Sequence, residues 1–91
     1  MAFDFFKKTA NIVRVDQEDN VEVSPDFPSV QKANHALGAH LAGNGSIVLN
    51  QDVNEHDGRV VTAIEKSAFG SRTWFEIGYE VLPSDIIQNG E

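Results

Sequence analysis

The stretch RVVTAIEKSAFGSRTWFEIGYEVL, residues 59–82, decides the fold of this 91-residue chain. Two runs rich in β-branched and aromatic residues flank the loop SAFGSR, and this pattern is typical of an antiparallel β-hairpin. Pairing Lys66 with Thr73 sets a register that gives the hairpin a core face. The cross-strand pairs of that face are Ile64–Phe75, Thr62–Ile77 and Val60–Tyr79.

The second face of this hairpin, which we call the outer face, is half apolar and half acidic. In the same register Arg59 lies opposite Glu80 as an opposite-charge pair. An apolar patch bordered by charged residues is typical of protein interfaces. We therefore expect an interaction surface there, made of Trp74, Phe69, Val48, Val61, Glu65, Glu76 and Glu80. The alternative is that the N-terminal phenylalanines or the tail cover this strip as ordinary core.

Upstream of the hairpin, residues 28–42, PSVQKANHALGAHLA, predict the main helix. Pro28 suits a first helical position and Gly43 suits the residue just past the end. At 100° per residue one apolar stripe forms, which should pack on the sheet. That stripe consists of Val30, Ala33, Leu37 and Leu41.

The remaining β-rich runs complete the predicted fold. Residues 11–15 and 21–24 flank a turn and predict a first hairpin, and residues 46–53 predict a strand. The expectation is a single α+β domain over residues 1–91, with an antiparallel sheet of about five strands in the order ββαβββ and the helix on one face. Residues 2–9 fit both helical and strand spacing, so a short N-terminal helix stays open, as does the joining of both hairpins in one sheet.

Charge and cysteine content exclude several classes of function. The formal net charge is −7, from 14 acidic and 7 basic residues, which disfavours binding to nucleic acids and to anionic membrane surfaces. The absence of cysteine rules out disulfides and thiolate zinc sites. No apolar run approaches the roughly 20 residues of a membrane span. We expect a soluble, cytoplasmic protein of bacterial type that gains burial by forming a homodimer.

The histidines do not indicate a metal site. His35 and His40 are five residues apart, so on a helix they point in different directions. His56 lies in the loop NEHDG, whose consecutive polar residues diverge and are typical of a solvated turn. No nucleophile elbow or phosphate-binding glycine loop is present in the sequence. We therefore predict no metal, no cofactor and no catalytic residues.

Two further sets of residues are candidates for contacts. The helix side opposite the apolar stripe carries small residues where a solvated face would carry Glu and Lys. Such a side could pack against a subunit, and its members are His35, Gly38, Ala39 and Ala42. The polar groups expected in a pocket are His40 and Tyr79.

The sequence therefore favours a small acidic, non-enzymatic binding or accessory protein that forms a homodimer, with another protein as a further partner. A second hypothesis is an acidic inhibitor or antitoxin-like protein that occupies a basic site on its target. A third hypothesis is a small-ligand-binding or enzymatic domain whose pocket lies between subunits.

Overall fold

In the part of the chain that the structure describes, the β-branched runs form five antiparallel strands in one sheet. A computed structural model describes residues 9–66 and 73–89 of the chain. Its elements are β1 (Ala10–Val15), β2 (Val21–Val23), α1 (Val30–Gly43), β3 (Ile47–Val53), β4 (Arg59–Lys66), β5 (Trp74–Pro83) and α2 (Ser84–Asn89). The strand order is β2-β1-β5-β4-β3. The pairing of β1 with β5 joins the two hairpins, and the predicted α+β fold is confirmed.

Helix α1 begins two residues later than predicted because Ser29 acts as its N-cap. Ser29 has extended backbone angles, and its hydroxyl accepts a hydrogen bond of 3.1 Å from the Lys32 N–H. This bond satisfies one of the free N–H groups of the first turn. The predicted apolar stripe is confirmed, since Ala33, Leu37 and Leu41 are buried and Val30 packs against them.

The core lies between α1 and the middle of the sheet. Helix α1 contacts β1 and β5, and we call the sheet face that carries it the inner face. The buried apolar side chains come from both layers, and they are Ala10, Ala33, Leu37, Leu41, Val61, Ala63, Ile77, Tyr79 and Val81.

The predicted register of the β4–β5 hairpin is wrong by one residue. The structure pairs Lys66 with Trp74, Ala63 with Ile77 and Val61 with Tyr79. A shift of one residue moves a whole strand to the other face, so Val61 and Ala63 lie in the core. Val60, Thr62 and Ile64, which the sequence pattern assigned to the core, lie on the outer face instead.

Strand β3 pairs antiparallel with β4. Val53 lies opposite Arg59, and a bulge between Val48 and Asn50 shifts the pairing. Val48 lies opposite Ala63, which places it on the inner face and not on the outer face as predicted. The shift follows from the bulge, because the extra residue moves the alternation of side chains.

The tail forms the short helix α2, which the sequence analysis did not predict. The Ser84 N–H donates to the Thr9 carbonyl at 2.9 Å, and its hydroxyl donates to Asn11 Oδ1 at 2.5 Å. These bonds fix the helix start beside β1. Residues 2–8 of the possible N-terminal helix, which was expected over residues 2–9, lie outside the described residues, and so does Phe69. Within the described residues no helix is long and apolar enough to cross a membrane.

Asn54 organises the loop between β3 and β4. Its Oδ1 accepts hydrogen bonds from the backbone N–H groups of His56 at 2.8 Å and Gly58 at 3.0 Å. Its Nδ2 donates to Glu80 Oε2 at 3.0 Å and to the Val81 carbonyl at 2.9 Å. The loop therefore folds around one amide and lies directly on β5. This close approach requires glycine at position 58, where a Cβ atom would lie 2.0 Å from the Val81 carbonyl oxygen.

We expect Gly58→Ala to lower the free energy of unfolding by about 3 kcal/mol, because the backbone of β5 cannot move away without breaking its pairing. The matched control is Gly43→Ala, where a Cβ would meet nothing within 4 Å apart from its chain neighbours and the backbone of its own helix. Urea denaturation of both variants tests this. Equal midpoints for the two variants would contradict the close packing of the loop on β5.

Candidate functional site

Four side chains from the sheet and α1 form a polar cluster on the inner face. The Tyr79 hydroxyl donates to Glu65 Oε2, and Arg14 Nη2 donates to Glu65 Oε1 at 3.4 Å. His40 Nε2 lies 3.2 Å from the Tyr79 hydroxyl and 3.8 Å from Glu65 Oε2. The Glu65 side chain is only 13 % exposed. A carboxylate this buried needs a charged partner, and Arg14 supplies it.

The cluster keeps both Tyr79 and Arg14 protonated. Burial, together with the hydrogen bond to Glu65, raises the pKa of Tyr79 to about 12. Burial alone would lower the pKa of Arg14, but its interactions with Tyr79 and Glu65 outweigh burial and raise that pKa. Near neutral pH Arg14 is therefore a guanidinium and Tyr79 a neutral phenol. The Tyr79 hydroxyl serves as a hydrogen-bond donor to Glu65 and not as a base.

A groove opens beside this cluster, between α1 and the β1–β2 hairpin. Its volume is about 300 Å³, which is at the lower end of the range for small-molecule pockets. Apolar side chains line one part of it, namely Ile12, Phe27, Ala36 and Leu37. The polar part is lined by Arg14, Glu22, His40 and Tyr79. The combination of an apolar surface with a few convergent polar groups is typical of ligand sites.

The two residues predicted for a pocket, His40 and Tyr79, thus lie in contact. Their rings meet edge to face with centroids 5.7 Å apart, and Asn44 Nδ2 lies 3.0 Å from His40 Nε2. The groove beside them is formed within one chain, whereas the sequence analysis placed it between subunits. Arg14 and Glu22 were not predicted as site residues, because no sequence pattern indicates that β1 pairs with β5.

The residues predicted for the outer interaction surface are divided between the two faces. Trp74, Glu76 and Glu80 lie on the outer face, as the β4–β5 register requires. Val61 is 1 % exposed and belongs to the core, so its assignment to the surface is wrong. Glu65 lies on the inner face in the polar cluster, opposite Phe75 and not Trp74. The one-residue register shift is the cause of both corrections.

The predicted pair of Arg59 and Glu80 does not form. Arg59 lies on the inner face, where its Nη2 donates to Gln51 Oε1 at 2.7 Å and its Nη1 to the Asn34 carbonyl at 3.4 Å. Glu80 instead accepts from Asn54. The same register shift separates the two side chains.

The small-residue side of α1 is partly used within the chain. A Cβ at Gly38 would lie 2.8 Å from Arg59 Nη1, so the glycine gives room to the guanidinium that crosses the helix. The other three members of the predicted helix interface, His35, Ala39 and Ala42, are exposed. The absence of a side chain at Gly38 therefore has an intramolecular explanation.

The histidines form no metal centre in the part of the chain that the structure describes. There, no group of three or more potential ligands could hold a metal ion. His56 Nε2 lies 3.5 Å from Glu55 Oε2, which is a local pair within the β3–β4 loop.

Comparison of the chain with protein-family models, curated proteins and solved structures finds no match.

The polar cluster predicts the titration of Tyr79, the only tyrosine of the chain. We expect the absorbance of tyrosinate to rise with a midpoint at about pH 12. Glu65→Gln removes a neighbouring negative charge, so it should move this midpoint downward. Glu76→Gln on the outer face is the matched control and should leave the midpoint unchanged.

The titration of Tyr79 also makes the free energy of unfolding fall at alkaline pH. Because folding raises the pKa of Tyr79 from 10.0 to about 12, the neutral phenol stabilises the folded state. This contribution to stability is fully present at a pH below the Tyr79 pKa of the unfolded chain. It is lost as the pH rises through the Tyr79 pKa of the folded protein. Urea denaturation at alkaline pH should show the loss, and Tyr79→Phe should remove this part of the pH dependence. If Tyr79→Phe lost as much stability at alkaline pH as the parent chain, Tyr79 would not be the group responsible.

Proposed function

We propose that this protein is a small, non-enzymatic binding protein that forms a homodimer through the edge strand β3. One observation supports this proposal above the others. All seven residues of β3 are exposed, although the strand contains four apolar side chains, at Ile47, Val48, Leu49 and Val53. Its only charged residue is Asp52.

An edge strand of this composition favours pairing with another chain. The free side of an edge strand presents unpaired N–H and C=O groups to which another strand can bond. Natural sheets block such edges with lysine, proline, bulges or very short strands. Of these devices β3 has the bulge between Val48 and Asn50, but it contains neither lysine nor proline. Its length and its apolar side chains therefore support a role in assembly.

The distribution of charge supports a second copy of the chain as the partner. The sheet ends in β2 on its opposite edge, and residues 16–26 around that strand contain five carboxylates: Asp16, Glu18, Asp19, Glu22 and Asp26. Two copies that pair through β3 under two-fold symmetry hold these acidic segments at the far ends of a continuous sheet. Repulsion between these acidic segments of the two copies is then weak, because exposed charges separated by more than a Debye length of about 8 Å are largely screened.

A binding role fits the polar cluster better than catalysis does. The Tyr79 hydroxyl stays protonated and donates to Glu65, which also accepts from Arg14. His40 Nε2 lies 3.2 Å from the Tyr79 hydroxyl and 3.0 Å from Asn44 Nδ2. Each side chain of the cluster therefore already has a polar partner, and none is placed as an unengaged general base. The cytoplasmic location expected from the sequence is part of the same proposal.

We expect the parent chain to be a dimer and Ile47→Lys to weaken its dimerisation on the order of tenfold or more, since the substitution puts a charge on the paired edge. The matched control is Val21→Lys on the opposite edge. Both positions are exposed, Ile47 at 53 % and Val21 at 60 %, so neither substitution disturbs the core. Sedimentation equilibrium measures the dissociation constants.

Two results would contradict the proposal. The first is a parent chain that remains monomeric at high concentration. The second is a dimer that Val21→Lys dissociates and Ile47→Lys leaves intact, which would place assembly at the β2 edge. Circular dichroism of each variant shows that the fold is retained.

A further inference from the structure

The groove beside the polar cluster contains one cation at the border of its apolar part. Arg14 lines the groove together with Ile12, Phe27 and Leu37. We propose that this groove binds a small monocarboxylic acid with an apolar tail or ring, whose carboxylate contacts Arg14 and whose apolar part lies between α1 and the β1–β2 hairpin. This inference does not depend on the proposed dimer.

Arg14 keeps hydrogen-bonding capacity for such a ligand. A guanidinium has five N–H donors in a planar fork that suits a carboxylate. Its Nη2 bonds to Glu65 Oε1 at 3.4 Å, whereas its Nη1 lies 3.9 Å from Glu22 Oε1. The second distance is an ion-pair contact that is too long for a hydrogen bond. The Nη1 N–H groups can therefore donate hydrogen bonds to a ligand carboxylate at closer range.

Glu22 occupies the place that the ligand carboxylate would take. It lies directly opposite Arg14 in the β1–β2 pairing, and its side chain is 73 % exposed. An exposed carboxylate that makes no hydrogen bond to the guanidinium gains little from staying there. Glu22 can turn into solvent when an acid binds, and until then it competes with the ligand for Arg14.

The surroundings of Arg14 favour a monoanion with an apolar part over other ligands. The apolar lining offers surface that an aliphatic or aromatic group can bury, and such burial is favourable in proportion to its area. The net charge of −7 opposes every anion, and this opposition grows with the ligand's own charge. A phosphate with two charges is therefore disfavoured more than a carboxylate with one. A cationic ligand would be repelled by the Arg14 guanidinium.

Three probes with the same alkyl chain separate the possibilities: octanoate, 1-octanol and octylamine. Amide chemical-shift changes of the whole protein, measured by NMR, report both the affinity and the place of binding. We expect octanoate to bind at Ile12, Phe27 and Leu37 and to bind roughly tenfold or more tightly than 1-octanol, as a charge-assisted hydrogen bond requires. Octylamine should bind more weakly than either.

Two variants test the role of Arg14 from opposite directions. Arg14→Gln should abolish the preference for octanoate over 1-octanol. Glu22→Gln should tighten octanoate binding about threefold, because it removes a competing carboxylate of modest strength. Arg14→Gln also removes the Arg14–Glu65 contact and can destabilise the fold. Glu22→Gln does not have this effect, because the Glu22 side chain is exposed. Glu76→Gln on the outer face is the control for a general change of charge and should not change the affinity.

The inference is overturned by a preference for octylamine, by equal affinities for octanoate and 1-octanol, or by shift changes that lie away from the groove. Weaker octanoate binding in Glu22→Gln would likewise overturn it. The Ile47→Lys variant should bind octanoate as the parent does, so a failure of the dimer proposal and a failure of this inference can be distinguished.

Discussion

The exposed surfaces of this protein follow from the mismatch in width between one helix and a five-stranded sheet. Strand spacing makes such a sheet on the order of 19 Å wide, whereas a helix with its side chains covers about 10 Å. Helix α1 contacts β1 and β5, which stand near the middle of the strand order β2-β1-β5-β4-β3. Among residues 9–66 and 73–89, no element covers β3 on one side, and on the other side the groove opens above β1 and β2.

Placing Glu65 on the inner face imposes a second constraint. A carboxylate that is 13 % exposed would destabilise the fold without partners, because desolvation of a charge is costly. Arg14 and Tyr79 provide those partners from β1 and β5, so the cluster joins three adjacent strands. It also fixes the position of Arg14 beside the groove. The same contacts that make the buried charge tolerable thus hold a guanidinium where a ligand can reach it.

The layout of the five strands and of α1 could be predicted from the sequence, because strand and helix periodicity are local properties. The apolar stripe of α1 and the existence of each strand follow from such patterns. The register of β4 could not be predicted in this way, since Val60 and Val61 are adjacent and either can face the core. Cross-strand pairing alone favoured Val60 opposite Tyr79. The observed register buries Val61 and Ala63 on the inner face and brings Glu65 to Arg14, and both are tertiary contacts that the local pattern does not contain.

Only part of the candidate site could be predicted from the sequence, because the rest depends on which strands are neighbours in the sheet. His40 and Tyr79 stood out as polar residues next to apolar ones, and they lie 3.2 Å apart at their polar atoms. Arg14 could be added only once β1 was known to pair with β5. That pairing also puts the groove near one edge of the sheet and β3 at the other. A dimer formed through β3 therefore leaves both grooves at its far ends, where assembly and ligand binding involve separate residues and need not be coupled.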